Sequence, residues 1–195
     1  VTSGEPAVVT PRPPFAGLTG QGRRRALAAA IAATVAVGTG LAAVGAPLVT
    51  DAAPRGIVSF ELAGDLETAT RILESWGSEQ RIGAGLSLGA DFLFLLLYPL
   101  ALALACTAVA ERLALGGAPR AAAAGALLAW GQALTCALDA VENWALIELL
   151  LGSRAPLWPV LAWGCAVPKF ALVAAGLLYP AVGGASVVAL RWRRP

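Results

Sequence analysis

The sequence predicts an all-α fold, a bundle of four transmembrane helices with an amphipathic helix in the first outer loop. Three observations carry this. Four long stretches, Ala26–Val49, Leu86–Ala110, Ala121–Leu138 and Ala155–Leu190, are apolar and almost free of charge. About 20 apolar residues cross a hydrocarbon core of roughly 30 Å. The chain is 58% hydrophobic and only 13% charged, where soluble domains carry roughly 25% charged residues. Finally, the basic residues cluster at one end of these stretches rather than being spread along the chain.

The elements follow in order. Residues 1–22 are rich in Pro, Gly, Thr and Ser without apolar periodicity, which predicts a disordered cytoplasmic tail. Residues 23–195 form the membrane domain, with helices at 26–49, 85–110, 121–151 and 157–190 and the outer-loop helix at 64–77. Arg23, Arg24 and Arg25 precede the first stretch, as in a signal peptide. That stretch exceeds the usual ~7–15 residues of a signal core, and Pro47 follows the best cleavage candidate, Val44-Gly45-Ala46. An uncleaved helix is therefore expected. Its small residues Ala29, Ala32, Ala33, Ala36 and Gly40 offer a smooth face suited to close helix packing.

Topology comes from the positive-inside rule. With the N-terminus inside, the cytoplasmic segments hold Arg12, Arg23, Arg24, Arg25, Arg112, Arg120, Arg191, Arg193 and Arg194. The outer segments hold only Arg55, Arg71, Arg81 and Arg154. Both termini are expected in the cytoplasm. A composition rich in Ala, Gly, Arg and Pro suggests a GC-rich bacterial genome, and hence a bacterial cytoplasmic (inner) membrane.

In the first outer loop, Leu62, Leu66, Ala69, Leu73 and Trp76 recur with helical spacing, and Asp65, Glu67, Arg71 and Glu74 fill the other faces. Gly64 or Asp65 suits the start of this helix and Gly77 its end. Its apolar face must rest on the membrane interface or on the top of the bundle. Trp76, Trp144, Trp158 and Trp163 lie toward the same side, as an aromatic belt would.

Several chemistries are set aside. There is no histidine, which removes the commonest general base and metal ligand. Cys106, Cys136 and Cys165 sit singly in different stretches without CxxC spacing, and read as small buried hydrophobes. No cofactor and no metal are expected. A net charge of +2 gives no case for nucleic acid. The pairs Gly116-Gly117 and Gly183-Gly184 lack the context of a phosphate loop.

The remaining signal is polar. Counting about 20 residues from the inner end of each helix places Asp91, the Asp139/Glu142 pair and Lys169 in one layer near the outer edge of the hydrocarbon. Apolar sequence resumes beyond that layer in Trp144–Ile147 and Leu157–Ala166, so the charges lie within the helices. On the third helix Gln132, Thr135, Asp139 and Glu142/Asn143 form one stripe; on the second, Ser87, Asp91, Phe94 and Tyr98 share a face. On the fourth, Lys169, Gly176 and Gly183 share a face on which glycines permit close approach. The expected packing points these stripes at one another, with Lys169 neutralising one of Asp91, Asp139 and Glu142, because unpaired buried charge is costly. Glu61, in Phe60-Glu61-Leu62-Ala63, can join from the loop. The candidate binding residues are therefore Asp91, Asp139, Glu142, Asn143, Lys169, Glu61 and Tyr98.

The segments Phe60-Glu61-Leu62-Ala63, Gly89-Ala90-Asp91-Phe92-Leu93-Phe94 and Asp139-Ala140-Val141-Glu142-Asn143 resemble sequence in uncharacterised bacterial four-helix membrane proteins, across about half of the chain. The resemblance implies a multi-pass membrane protein and brings no activity with it.

Three functions fit these residues. One is a polar pocket near the outer leaflet that binds or moves an ion, a proton or a small amphiphile. Another is a membrane-embedded enzyme working by acid–base chemistry on a lipid-like substrate, although no nucleophile motif accompanies the carboxylates. The third is a structural subunit whose ion pair only fixes helix register. The expected partners are the lipid bilayer, a small ligand or ion, and further copies of the chain or a larger membrane assembly.

Overall fold

The computed structural model describes residues 11–192, which are helical throughout apart from turns and short connections. The elements are α1 (Gly20–Gly45), a 3-10 turn (Ala46–Leu48), α2 (Ile57–Glu61), α3 (Leu66–Ser75), α4 (Ser78–Leu115), α5 (Pro119–Leu150) and α6 (Leu157–Trp192). Four of these, α1, α4, α5 and α6, are long and apolar enough to cross a membrane. α2 and α3 lie at one end of the bundle, the loop end, and the start of α1 and the end of α6 lie at the other.

Residues 1–10 of the expected tail fall outside the described residues. The rest of it differs from expectation. Gly20–Gly22 already belong to α1, capped by the Thr19 hydroxyl, which accepts from Gly22 N at 3.1 Å. Upstream, Trp130 Nε1 donates to Arg12 O at 3.1 Å and Thr107 Oγ1 donates to Pro14 O at 2.9 Å. Proline supplies carbonyls without competing N–H groups, so this segment lies against α4 and α5 rather than standing free.

Three helices form the core. α4, α5 and α6 pack along their lengths, and α1 lies on α4. Close approach of α6 to α5 and to α4 depends on glycine. A Cβ on Gly176 would come within 2.7 Å of Gln132 Nε2, and one on Gly183 within 2.6 Å of Val109 Cγ1. The smooth face read from the sequence of α1 is not its packing face. Ala29, Ala32, Ala36 and Gly40 are exposed, and Ala26, Leu27 and Ala30 meet α4 instead. The register of this antiparallel pair is fixed by a two-pronged Arg23–Glu111 ion pair at 2.6 Å near one end and by Gly38 against the Phe94 ring near the other.

The largest hydrophobic cluster among the described residues is at the loop end, where Leu48, Phe60, Ile72, Trp76, Leu88 and Leu146 are buried. The amphipathic helix is shorter than expected, Leu66–Ser75, because Asp65 is its N-cap and accepts from Thr68 N at 2.8 Å. Its apolar face, with Ala69 and Ile72 buried, rests on the ends of the long helices. Trp76 Nε1 donates to Leu48 O at 2.9 Å, and the indole meets Phe60 edge-on at 5.4 Å. Burying each such side chain contributes about 1.5–3 kcal/mol, so this cap is firmly attached. Gly77 caps the start of α4 rather than ending the loop helix, with Gln80 Oε1 accepting from its N–H at 2.8 Å. The cap also holds α2, a helix the periodicity did not foresee. The chain enters it through Gly56 at φ 57°, a left-handed conformation natural to glycine. That turn carries Glu61 over the mouth of the bundle.

Candidate functional site

The polar stripes converge. On α5, Gln132, Thr135, Asp139, Glu142 and Asn143 are all buried, and so is Lys169 on α6. Helical spacing puts these α5 residues on one face, and the glycine contacts bring α6 against it. Lys169 Nζ donates to Asp139 Oδ1 at 2.9 Å and to Glu142 Oε1 at 2.9 Å. It thus contacts two carboxylates while its single charge can offset only one, because Asp139 and Glu142 are neighbours on the helix and flank one ammonium. Tyr98 donates to the other Asp139 oxygen, Oδ2, at 2.6 Å, whereas Glu142 Oε2 is buried with no hydrogen-bond partner.

Asp91 and Glu61 stand beside this triad but outside it. Asn143 Nδ2 donates to Asp91 Oδ2 at 2.6 Å. Glu61 Oε2 lies 3.9 Å from Lys169 Nζ, beyond hydrogen-bonding range, and its carboxyl also meets that of Glu142. Burial pushes the Glu61 carboxyl above the usual carboxylate range, with the neighbouring acids Asp91 and Asp139 acting in the same direction and Lys169 against it. All seven residues singled out in the sequence are therefore brought together.

This layer is not the end of the apolar surface. Asp91 and Glu111 are about 30 Å apart along α4 at 1.5 Å per residue, close to a hydrocarbon thickness. Beyond the layer, toward the loop end, Leu86, Trp144, Val160 and Trp163 are still exposed and apolar. The charges are enclosed by the helices and by the α2–α3 cap.

Two cavities meet at the layer. The larger, about 500 Å³, runs between α1, α4 and α6 and is walled by apolar groups such as Ile31, Val35, Phe94, Val173 and Leu177. Its polar end is formed by Glu61, Asp91, Asp139 and Lys169. On α4 it extends from Asp91 to Ala105, about 20 Å of helix. It exists because α1 rests on α4 and leaves the adjoining face of α6 uncovered. The second cavity, about 340 Å³, lies toward the loop end between α1, α2 and α4; it includes Arg55 and shares Glu61 and Asp91 with the first.

Sequence reasoning missed two polar lining groups. Arg55 entered it only as a loop charge. Thr34 gave no signal, being one hydroxyl in an apolar stretch. Its Oγ1 is shut off from solvent and has no hydrogen-bond partner, whereas Thr39 on the same helix donates to Val35 O at 2.7 Å. Thr34 also lines the large cavity. Comparisons with protein-family models, with curated proteins and with solved structures found no match.

Proposed function

We propose that this is a multi-pass membrane protein that binds a small amphiphile, its chain in the apolar cavity and its head at the carboxylate/lysine layer. The observation that carries the reading is the 500 Å³ cavity, apolar along its length and polar at one end. Ligand sites of about 300–1,000 Å³ with mostly apolar walls and a few convergent polar groups are the usual form of a small-molecule pocket. A lone ion or proton would use the polar end and leave the apolar length without a role. The second cavity gives the head a route toward the loop end, which supports movement of the ligand as well as its retention.

The proposed setting is the bacterial cytoplasmic membrane with both termini inside. The concentration of arginine at the terminal end, with Arg23, Arg24, Arg25, Arg112 and Arg120, supports that orientation. The loop end and its polar pocket would then face outward.

The test is native mass spectrometry of the gently extracted protein, wild type against Val173→Trp, which fills the cavity from α6. The expected result is a bound amphiphile in wild type and its loss in a variant that still melts cooperatively. Equal retention by both, or a bare mass in wild type after addition of single-chain lipids, overturns the reading.

A further inference from the structure

We infer that the amphiphile carries a protonated amine head, seated between Glu61 and Asp91 where the two cavities meet. This deepens the amphiphile reading and rests on it. The layer has fewer hydrogen-bond donors than its carboxyl oxygens can accept. An ammonium has three N–H donors; Lys169 directs its short contacts to Asp139 and Glu142 and reaches Glu61 only at 3.9 Å. Tyr98 has one O–H, and it goes to Asp139. Asn143 serves Asp91 Oδ2, and Asp91 Oδ1 receives no donor among the described residues. Glu61 faces another carboxyl, that of Glu142. Glu142 Oε2 is also buried without a hydrogen-bond partner, but it lines neither cavity. The acids short of donors that a guest can reach are Glu61 and Asp91, which line both.

Charge points the same way. Even with Glu61 holding a proton, the layer sets Asp91, Asp139 and Glu142 against Lys169. An anionic head would meet like charge at reduced dielectric. A primary ammonium adds one positive charge and three donors, and hydrogen bonds to ionised carboxylates are the strong ones. Arg55 gives the inference a second part. Its guanidinium has no ion pair among the described residues, and Arg55 is one of the residues lining the second cavity together with Glu61 and Asp91. A phosphate attached to the amine would sit there. The shared chemistry is an amine on a single chain; a plain alkylamine and a zwitterionic lysolipid with an ethanolamine head are its two sources.

The experiment measures competition on the full-length protein in detergent by native mass spectrometry, with probes of one chain length: alkylamine, alkanol, fatty acid, lysophosphatidic acid and lysophosphatidylethanolamine. In wild type the alkylamine should outcompete the alkanol by about tenfold to a hundredfold, the range of one charge-assisted hydrogen bond. The fatty acid and lysophosphatidic acid should bind weakest. Glu61→Gln and Asp91→Asn should each reduce the amine's advantage. A preference for lysophosphatidylethanolamine over alkylamine that vanishes in Arg55→Gln would identify the zwitterion; equal binding of the two would identify the plain amine. If alkanol or fatty acid matches the amine in wild type, the amine inference fails while the amphiphile reading stands. If no probe binds, both fail. The wild-type rank order decides the matter even where a variant does not fold.

Discussion

Two groups of charges share one layer, and they are built differently. Lys169, Asp139 and Glu142 form a closed triad, with each charge facing its opposite at 2.8–2.9 Å and Tyr98 on the remaining Asp139 oxygen. Glu61 and Asp91 adjoin it with no cation of their own at short range, and they face open space. The difference teaches how to separate charge that holds a fold from charge that serves a site. The triad ties α5 to α6 and draws its counter-charge from within, with Glu142 Oε2 held by the Lys169 ion pair rather than by a hydrogen bond. The cavity pair depends on neutral donors, on a shared proton or on a guest. Removing a member of the first should break the protein; removing a member of the second should spare the fold and change what binds.

The largest expected effect is on the triad. Lys169→Met leaves two buried carboxylates uncompensated and should cost about 3–5 kcal/mol, measured by denaturant unfolding in detergent. Neutralising all three together, with Asp139→Asn, Glu142→Gln and Lys169→Gln, should recover most of that loss, since an ion cluster replaced as a unit is often nearly neutral. Failure to recover would mean that the triad does more than neutralise itself. Next is the packing that delivers Lys169 to α5. A Cβ at Gly176 meets Gln132 Nε2 at 2.7 Å, so Gly176→Val should cost about 1–3 kcal/mol by overpacking. Tyr98→Phe should cost about 1–3 kcal/mol, because Asp139 loses a donor.

The smallest effects concern pH, and two acids outside the spans should show opposite signs. The raised Glu61 carboxyl keeps a proton in the folded protein that the unfolded chain has already lost, so stability falls as pH rises above the usual carboxylate range. Glu61→Gln should flatten that decline. Asp65 is held below its ordinary value, first by the backbone N–H of Thr68 and then by its hydroxyl. Its stabilisation is present above the usual aspartate range and is lost as pH falls through the depressed value. Asp65→Asn should flatten the acid limb and leave the alkaline one. Melting temperatures of the two variants across pH check both signs, and a Glu61→Gln profile identical to wild type would remove Glu61 from the titrating set.

The legibility of the molecule divides along the same line. The triad was visible because charge inside an apolar stretch is rare, and because helical spacing puts Gln132, Thr135, Asp139 and Glu142 on one face. The loop helix was visible in the spacing of Leu62 through Trp76. The cavity was not. It depends on where α1 rests, and in an all-apolar helix the periodicity does not distinguish a face against protein from one against lipid. The exposed Ala29, Ala32 and Ala36 were read as packing residues for that reason. Arg55 and Thr34 matter through what they border, and that is set by α2 and by the packing of α1 on α4 rather than by local sequence.

The central claim is that the groove between α1 and α6, and not the apolar surface in general, holds the ligand. It is tested most directly by photo-crosslinking. The full-length protein is labelled with an alkylamine bearing a diazirine on its chain, and the labelled peptides are mapped by mass spectrometry. Label should fall on Ile31–Val35 of α1 and on Phe170–Leu177 of α6 and be displaced by excess alkylamine. Label distributed equally over Leu127, Leu134 and Val141, the exposed apolar face of α5, would contradict it.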